Sequence, residues 1–542
     1  MWRARPGGEA RRPSWWGRGA RGLLAEPAPL AAIGERADYR WWVVGTVCVG
    51  AALGQLNASI AGLVLPTLET VFDAPMVAVG WVDIAYLLTL TSLVVPFGRL
   101  ADLIGRKLLY CVGFLVFLLG SVLCAVAPAL GWLIAFRVLQ AVGAALLQAN
   151  SVALIAAAAR PGELGRAVGV QGAAQAIGLA IGPSLGGLLI GLVGWRGVFF
   201  AAVPVGLLGA VLGWLVLPQT RQAGQTGQAP PVRRARQAAE LAAELGPLQP
   251  AGDLPAGRRG RREGFDWLGA LLFGPAVAAV MVAISHGGTW GWTSPRLLAT
   301  LGGAVTLLVA FLFVERRVGT PLIDVALFRR RGFGTGIVAG LLSYTVLFGA
   351  LFLIPLELQR VRGASPDEAG LWLSPVPVAI GLLAPISGLL GDRVGSRLPT
   401  VAGMGCAAMA LVLLAAVPEA PPPVLLGGLA LFGLGLGLFT PPNNSAVMAD
   451  APARRLGVAS GILNMTRSAG TSLGVAATGA VLGLRLAAGA GGHVEGTANV
   501  DPALLVPAFS ETLRFLAALA VLAGAVSMLR GTPQRVTSHG RR

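Results

Sequence analysis

The 542-residue sequence has almost no lysine: of its 42 basic residues only Lys107 is one, and the others are arginine. A phosphate-binding Walker A loop needs Gly-Lys-Ser/Thr. Lys107 is followed by Leu108, so ATP hydrolysis by a P-loop is excluded. Histidine is nearly absent as well. His286, His493 and His539 are scattered, without the spacing of a zinc site, and no metal or other cofactor is expected. The four cysteines, Cys48, Cys111, Cys124 and Cys406, lie in apolar stretches with no Cys-x-x-Cys pair, and read as small packing residues. No cluster of nucleophile, base and acid stands out, so the chain is not expected to be an enzyme. Charge is scarce too, at 12% of residues, where soluble globular chains carry about 25%. That scarcity excludes a string of soluble domains and equally a disordered or collagen-like chain.

What replaces charge is apolar sequence: 55% of residues are hydrophobic and the mean hydropathy is +0.72. A bilayer core about 30 Å thick needs about 20 apolar residues per helix. Fourteen runs meet that length, near 42–66, 77–98, 108–127, 130–152, 167–193, 197–217, 267–285, 296–314, 334–358, 369–390, 399–418, 423–448, 458–484 and 504–529. With the N-terminus placed in the cytoplasm, most of the arginines fall in cytoplasmic segments, and the outer loops hold only Arg196, Arg296, Arg360, Arg362 and Arg485. This is the positive-inside pattern. It predicts a multi-pass protein of the plasma (inner) membrane, bacterial in character, with both termini cytoplasmic. It also accounts for the net charge of +17 without nucleic acid, because the charge is divided among many short loops.

The predicted organisation is a disordered cytoplasmic tail (1–40), a six-helix bundle (41–217), a cytoplasmic linker (218–266), an inserted helix pair (267–314), a cytoplasmic loop (315–333), a second six-helix bundle (334–530) and a tail (531–542). Residues 1–40 contain no 7–15-residue apolar core, so no cleavable signal peptide is expected. The two bundles follow from an internal repeat. Gly98-Arg-Leu-Ala-Asp102-Leu-Ile-Gly105-Arg106-Lys107 recurs as Gly388-Leu-Leu-Gly-Asp392-Arg-Val-Gly395-Ser-Arg397. Gly182-Pro-Ser-Leu-Gly186 recurs, at nearly the same offset, as Gly470-Thr-Ser-Leu-Gly474. Parallel six-helix repeats are a transporter architecture, with the binding site between the halves.

These segments resemble known signatures. Gly98–Lys107 is similar to the loop motif of the major facilitator superfamily. Arg137-Val-Leu-Gln140-Ala-Val-Gly143 resembles its fourth-helix motif, and Gly178-Leu-Ala-Ile-Gly182-Pro183-Ser-Leu-Gly186-Gly187 its fifth-helix antiporter motif. Fourteen spans, Trp195-Arg196 opening the sixth and Pro441-Pro-Asn-Asn444 in the twelfth, point to the fourteen-helix drug:proton antiporter branch (QacA/EmrB-type multidrug exporters). The resemblance covers roughly residues 42–530. It implies the all-α membrane fold of that superfamily, two six-helix bundles plus an inserted pair.

Physical roles follow for individual residues. Gly98 and Gly105 allow close packing and a tight turn. Asp102 is expected to pair with an arginine such as Arg106 or to face a helix N-terminus, as a gate between the bundles; for Asp392 a gate and a simple turn stabiliser are weighed equally. Gly178, Gly182 and Gly186 share one helix face suited to close approach, and Pro183 favours a kink. The resemblance places that helix at the seam between halves. Arg137, two turns inside its span, must face the interior and find a partner, with Gln140 one turn on as its neighbour. The resemblance implies a part in proton transfer. Relatives carry an aspartate in the first span where this chain has Asn57, which does not titrate. Asp83, ahead of Glu357, is then the expected proton or cation site. Gln140, Tyr344, Asn443, Asn444 and Arg467 are candidate cavity residues, with Phe348 and Trp372 as further aromatics; for Arg467 a cavity role and a lock between helices are weighed equally, any one of the aromatics is more readily lipid-facing, and Pro441-Pro442 suggests a broken, polar stretch in which Asn443 and Asn444 contact substrate or simply end a helix. The function expected is export of small amphipathic or lipophilic compounds (drugs, antibiotics, dyes) by proton antiport through alternating access, in a monomer with protons, substrate and lipid as its partners. The alternatives are a dedicated exporter of one self-made metabolite or lipid, or a non-transporting scaffold or receptor.

Overall fold

The computed structural model describes residues 26, 28–160, 162–220, 265–291, 293–318, 321–417, 421–490 and 502–530. The rest of the expected N-terminal tail, nearly all of the 218–266 linker and the C-terminal tail lie outside the described residues. Among those described there is no strand. Fourteen principal helices follow the fourteen apolar runs: α1 (Tyr39–Phe72), α2 (Trp81–Ile104), α3 (Arg106–Ala125), α4 (Leu130–Ala158), α5 (Leu164–Val193), α6 (Trp195–Val216), α7 (Trp267–Trp290), α8 (Pro295–Glu315), α9 (Arg331–Arg360), α10 (Glu368–Val394), α11 (Arg397–Ala416), α12 (Pro422–Asp450), α13 (Leu456–Ala490) and α14 (Pro502–Met528). Thirteen are single stretches long and apolar enough to cross a membrane. The remaining one, α5, bends by 42° between Leu164–Gly182 and Leu185–Val193. Pro183 falls in that break, where a missing backbone donor is expected to bend a helix; its side chain is outside the described residues.

Helices α1–α6 pack together and α9–α14 pack together. The two sets meet along two seams related by the sequence repeat, α2 against α13 and α5 against α10. The inserted helices α7 and α8 pack on each other, and α7 also touches both α2 and α13. Large apolar side chains such as Leu188, Leu192, Leu271, Leu382 and Leu484 stay exposed on the outer surfaces. An apolar belt of this extent is untenable in water and natural against acyl chains.

One end of the assembly gathers the arginine-rich turns. There Arg40 Nε pairs with Glu163 at 2.7 Å and Arg455 with Asp324 at 3.3 Å. The expected tail is ordered in part, contrary to the expectation of disorder over 1–40. Ala31–Gly34 is a short helix, Leu30 N donates to Leu215 O at 2.9 Å, and the Glu26 carboxylate accepts from the Thr220 hydroxyl at 3.0 Å. Apolar sequence alone did not reveal these polar anchors across α3 and α6.

Candidate functional site

At the basic end the two seams close by the same device. Gly98 of α2 lies so near Gly457 of α13 that a Cβ added to it would overlap the Gly457 carbonyl oxygen, and Gly388 of α10 stands likewise against Gly165 of α5. Only residues without a Cβ allow this approach. One turn further on, a carboxylate crosses each seam. Asp102 accepts from the Gly457 and Val458 amides at 2.9 and 3.1 Å. Asp392 accepts from the Gly165 and Arg166 amides at 2.8 and 2.9 Å. These amides belong to the first turns of α13 and α5 and have no partner within their own helices. A carboxylate there also meets the positive end of the helix dipole. Asp102 therefore does both things expected of it, since Arg106 Nη2 holds it at 2.8 Å and also donates to Ala453 O at 3.0 Å. The repeat is imperfect at the second seam, where Ser396 stands in place of Arg106. Gly105 ends α2 at φ 131° and Gly395 ends α10 at φ 87°, in the region that favours glycine.

The stripe Gly178, Gly182, Gly186 does not face the second half, although α5 itself lies at a seam. A Cβ on Gly178 would come 2.5 Å from Ala52 O, one on Gly182 would collide with Ser59, and one on Gly186 would stand 3.0 Å from Ile60. All three neighbours are on α1. The stripe fastens α5 to α1 within one bundle, because the face presented to α10 is the one that carries Gly165 and Gly169.

Near the opposite end, a polar network fills the interior of the first bundle. Arg137 of α4 donates through Nη2 to Asp83 Oδ1 at 2.9 Å, through Nη1 to Gln140 Oε1 at 2.8 Å and Asn57 Oδ1 at 3.4 Å, and through Nε to Val82 O at 3.1 Å. Gln140 Nε2 donates onward to Ser121 Oγ at 2.7 Å. The Tyr86 ring lies 4.2 Å from the guanidinium carbon, a cation–π contact. Four residues singled out in the sequence thus converge: Asn57 on α1, Asp83 on α2, Arg137 and Gln140 on α4. Arg137 keeps 1% of its side chain exposed and Asp83 keeps 25%, so of this ion pair the acid is the exposed member. Gln140 is fully buried in this network and does not line the cavity as expected. Glu357 is not part of it. It is buried on α9 in the other half, and its neighbouring charge is Arg362.

Between the halves lies a cavity of about 200 Å³ with apolar walls from Tyr86, Leu90, Leu179, Met281 and Phe348. Two smaller voids, of about 30 and 10 Å³, adjoin it in the sense that all three are bordered by the same residue, Arg467. Arg467 Nη2 donates to Gln148 Oε1 at 2.5 Å, which ties α13 to α4 across the interface. Asn464 Nδ2 donates to Gln148 O at 2.8 Å. Tyr344 and Asn444 border the 30 Å³ void beside Arg467. Asn443 does not. It is buried, donates to Gly336 O at 3.2 Å and accepts from Arg530. Burial pushes the Arg530 guanidinium down to about 10, against the pull of Asp450, so it remains charged at neutral pH. Nor is α12 broken at Pro441-Pro442, since it runs through to Asp450. Trp372 packs against the core of the second bundle instead of the cavity. Gln148 is the member of this cluster that the sequence does not single out. A single glutamine inside an apolar run was its only signal.

The sequence matches the profile of the Major Facilitator Superfamily over residues 47–251 and 254–475. Multidrug resistance protein Stp of Mycobacterium tuberculosis (strain CDC 1551 / Oshkosh) is 32% identical over 441 residues, 81% of this chain and 75% of that protein. Riboflavin transporter RibZ of Clostridioides difficile (strain 630) is 31% identical over 441 residues, 81% of this chain and 87% of that protein. The tetracenomycin C resistance and export protein of Streptomyces glaucescens is 30% identical over 448 residues, covering 82% and 76%. Among solved structures, the proton:xylose symporter XylE bound to 6-bromo-6-deoxy-D-glucose superposes with a TM-score of 0.58 at 16% identity, covering 90% of this chain and 95% of that one. That similarity concerns the fold.

Proposed function

The chain belongs to the major facilitator superfamily, and from that premise we propose that it is a proton-coupled exporter of small amphipathic compounds, working by alternating access. The observation that carries this reading is the pairing of a sealed end with an internal cavity. Both seams are latched at the basic end by Asp102 and Asp392, and the cavity begins beyond that seal. Arg467, Ser468 and Ser472 of α13 stand about 17–24 Å from its basic end at 1.5 Å per residue. The positive-inside bias makes the basic end cytoplasmic, so this is a state closed to the cytoplasm. Unlatching both carboxylates from the helix ends opens the other state.

Asp83 is the coupling acid in this scheme. Protonation from outside converts the Asp83–Arg137 ion pair into a neutral acid beside a freed guanidinium. Asn57 and Gln140, already in contact with Arg137, then take more of its hydrogen bonding. Asn57 thereby fills a supporting role in place of a second acid. Asp83→Asn keeps the shape and removes the proton. Reconstituted into liposomes, this variant is expected to lose substrate movement driven by a pH gradient, while it retains the wild-type melting temperature to within a few degrees. Wild-type rates in the variant would reject Asp83 as the coupling acid. The compounds that identify substrates come from a drug-susceptibility panel in a pump-deficient host. A second reading, export of one dedicated compound, is favoured by the similarity to the tetracenomycin C export protein. A panel with a single responding compound distinguishes it from multidrug export.

A further inference from the structure

The central cavity is charged in one sense only. Among the described residues that line it and its two side voids there is no aspartate or glutamate, and Arg467 is the one cation. Arg137, the interior arginine of α4, is balanced by Asp83. Arg467 is not balanced: no described carboxylate lies within ion-pair distance, and its hydrogen-bond partner is the neutral amide of Gln148. The ionisable side chains that bear on it are the hydroxyls of Tyr344 and Tyr86. A guanidinium is costly at this depth unless an oxyanion or dense hydrogen bonding offsets it. It presents a planar fork of donors suited to a carboxylate. Around it, Gln55, Thr91, Ser468, Thr471 and Ser472 add polar groups without charge, and the apolar walls close the other side.

We propose that this cavity is an anion site, which takes small amphipathic molecules that carry a carboxylate or comparable oxyanion, with Arg467 as the residue that selects them; this rests on the export function proposed above. The oxyanion meets the free edge of the Arg467 fork, and the hydrophobic body lies against Tyr86, Leu179 and Phe348. A cationic amphipath of the same shape meets an uncompensated positive charge and no acid. Gln148 is a positioning residue, since it holds the guanidinium across the interface.

The test uses the purified full chain in detergent and three probes that share a 1-naphthylmethyl body: 1-naphthaleneacetate, its neutral isostere 1-naphthaleneacetamide and the cationic 1-naphthylmethylammonium. Equilibrium dialysis gives their affinities. Wild type is expected to bind the acetate at least about tenfold tighter than the amide, as for a charge-assisted hydrogen bond, and the ammonium no better than the amide. Arg467→Gln is expected to bring the acetate down to the level of the amide and to leave the amide unchanged. Arg467→Lys keeps part of the preference, and Phe348→Ala weakens all three alike. Equal affinities in wild type, tighter binding of the ammonium, no binding of the acetate, or a preference that survives in Arg467→Gln overturns the proposal. Should Arg467→Gln fail to fold, the order of affinities in wild type and in Arg467→Lys decides. Acetate that binds selectively but does not move in proteoliposomes under a pH gradient upholds the anion site and defeats the export reading, so the two fail separately.

Discussion

Replacing Gly98 by alanine tests the latch at the α2–α13 seam with the addition of a single carbon. That carbon would stand 2.7 Å from the Gly457 carbonyl carbon. Carbon atoms settle at about 3.5–4.0 Å, so the helices must separate by roughly 1 Å. Neither neighbour can yield alone, because the obstacle is backbone. The hydrogen bonds from Gly457 N and Val458 N to Asp102, now 2.9 and 3.1 Å, would then lengthen past the useful range. Each bond to a charged group contributes about 1.5–3 kcal/mol net, so two amount to at least about 3 kcal/mol. That shifts the balance between the closed and open basic end more than a hundredfold. Hydrogen–deuterium exchange reads this directly. In the first turn of α13 these amides have no intrahelical acceptor, and their protection comes from Asp102 across the seam. Exchange at the Gly457 and Val458 amides is expected to speed up at least about a hundredfold in Gly98→Ala, with Gly165 and Arg166 slower to respond. Unchanged exchange in a folded variant would refute the latch.

Two further outcomes are expected. Gly182→Ala should lower the melting temperature of the protein through its clash with Ser59, while the double variant Gly182→Ala, Ser59→Gly should recover it; a failure of that rescue would show that the stripe serves something other than packing on α1. Ser396→Arg places an arginine four residues after Asp392, as Arg106 stands to Asp102. At this solvent-accessible site an ion pair contributes about 0.3–1 kcal/mol. Exchange of the Gly165 and Arg166 amides is therefore expected to slow by about two- to fivefold, and faster exchange would contradict the comparison of the two seams.

Much of this arrangement is legible in the sequence. Apolar run length located every principal helix, because a bilayer demands it. The repeat of Gly98–Lys107 at Gly388–Arg397 foretold two related six-helix bundles, though not that both seams would be latched alike, and the high cost of a buried guanidinium foretold that Arg137 would find a partner. Partners across the fold were harder to read. Periodicity shows that Gly178, Gly182 and Gly186 share a face but not which helix that face meets, and it met α1. Gln148 is 319 residues from Arg467 along the chain, so no local pattern joins them. Asn443 is polar beside two prolines, which suggests a broken helix; its amide is instead occupied by α9 and its carbonyl by Arg530. Glu357 carries the same chemistry as Asp83 and lacks only its position.

The added pair α7–α8 has a consequence for how the molecule sits among lipids. Because α7 leans on both α2 and α13, with the His286 ring 6.0 Å from that of Trp81, the α2–α13 seam carries an added helix pair that, among the described residues, the related α5–α10 seam does not. If the halves move as proposed, the pair must ride along or slip, and the two sides then meet unequal drag. A solute dissolved in the bilayer finds the α2–α13 seam curtained by that pair.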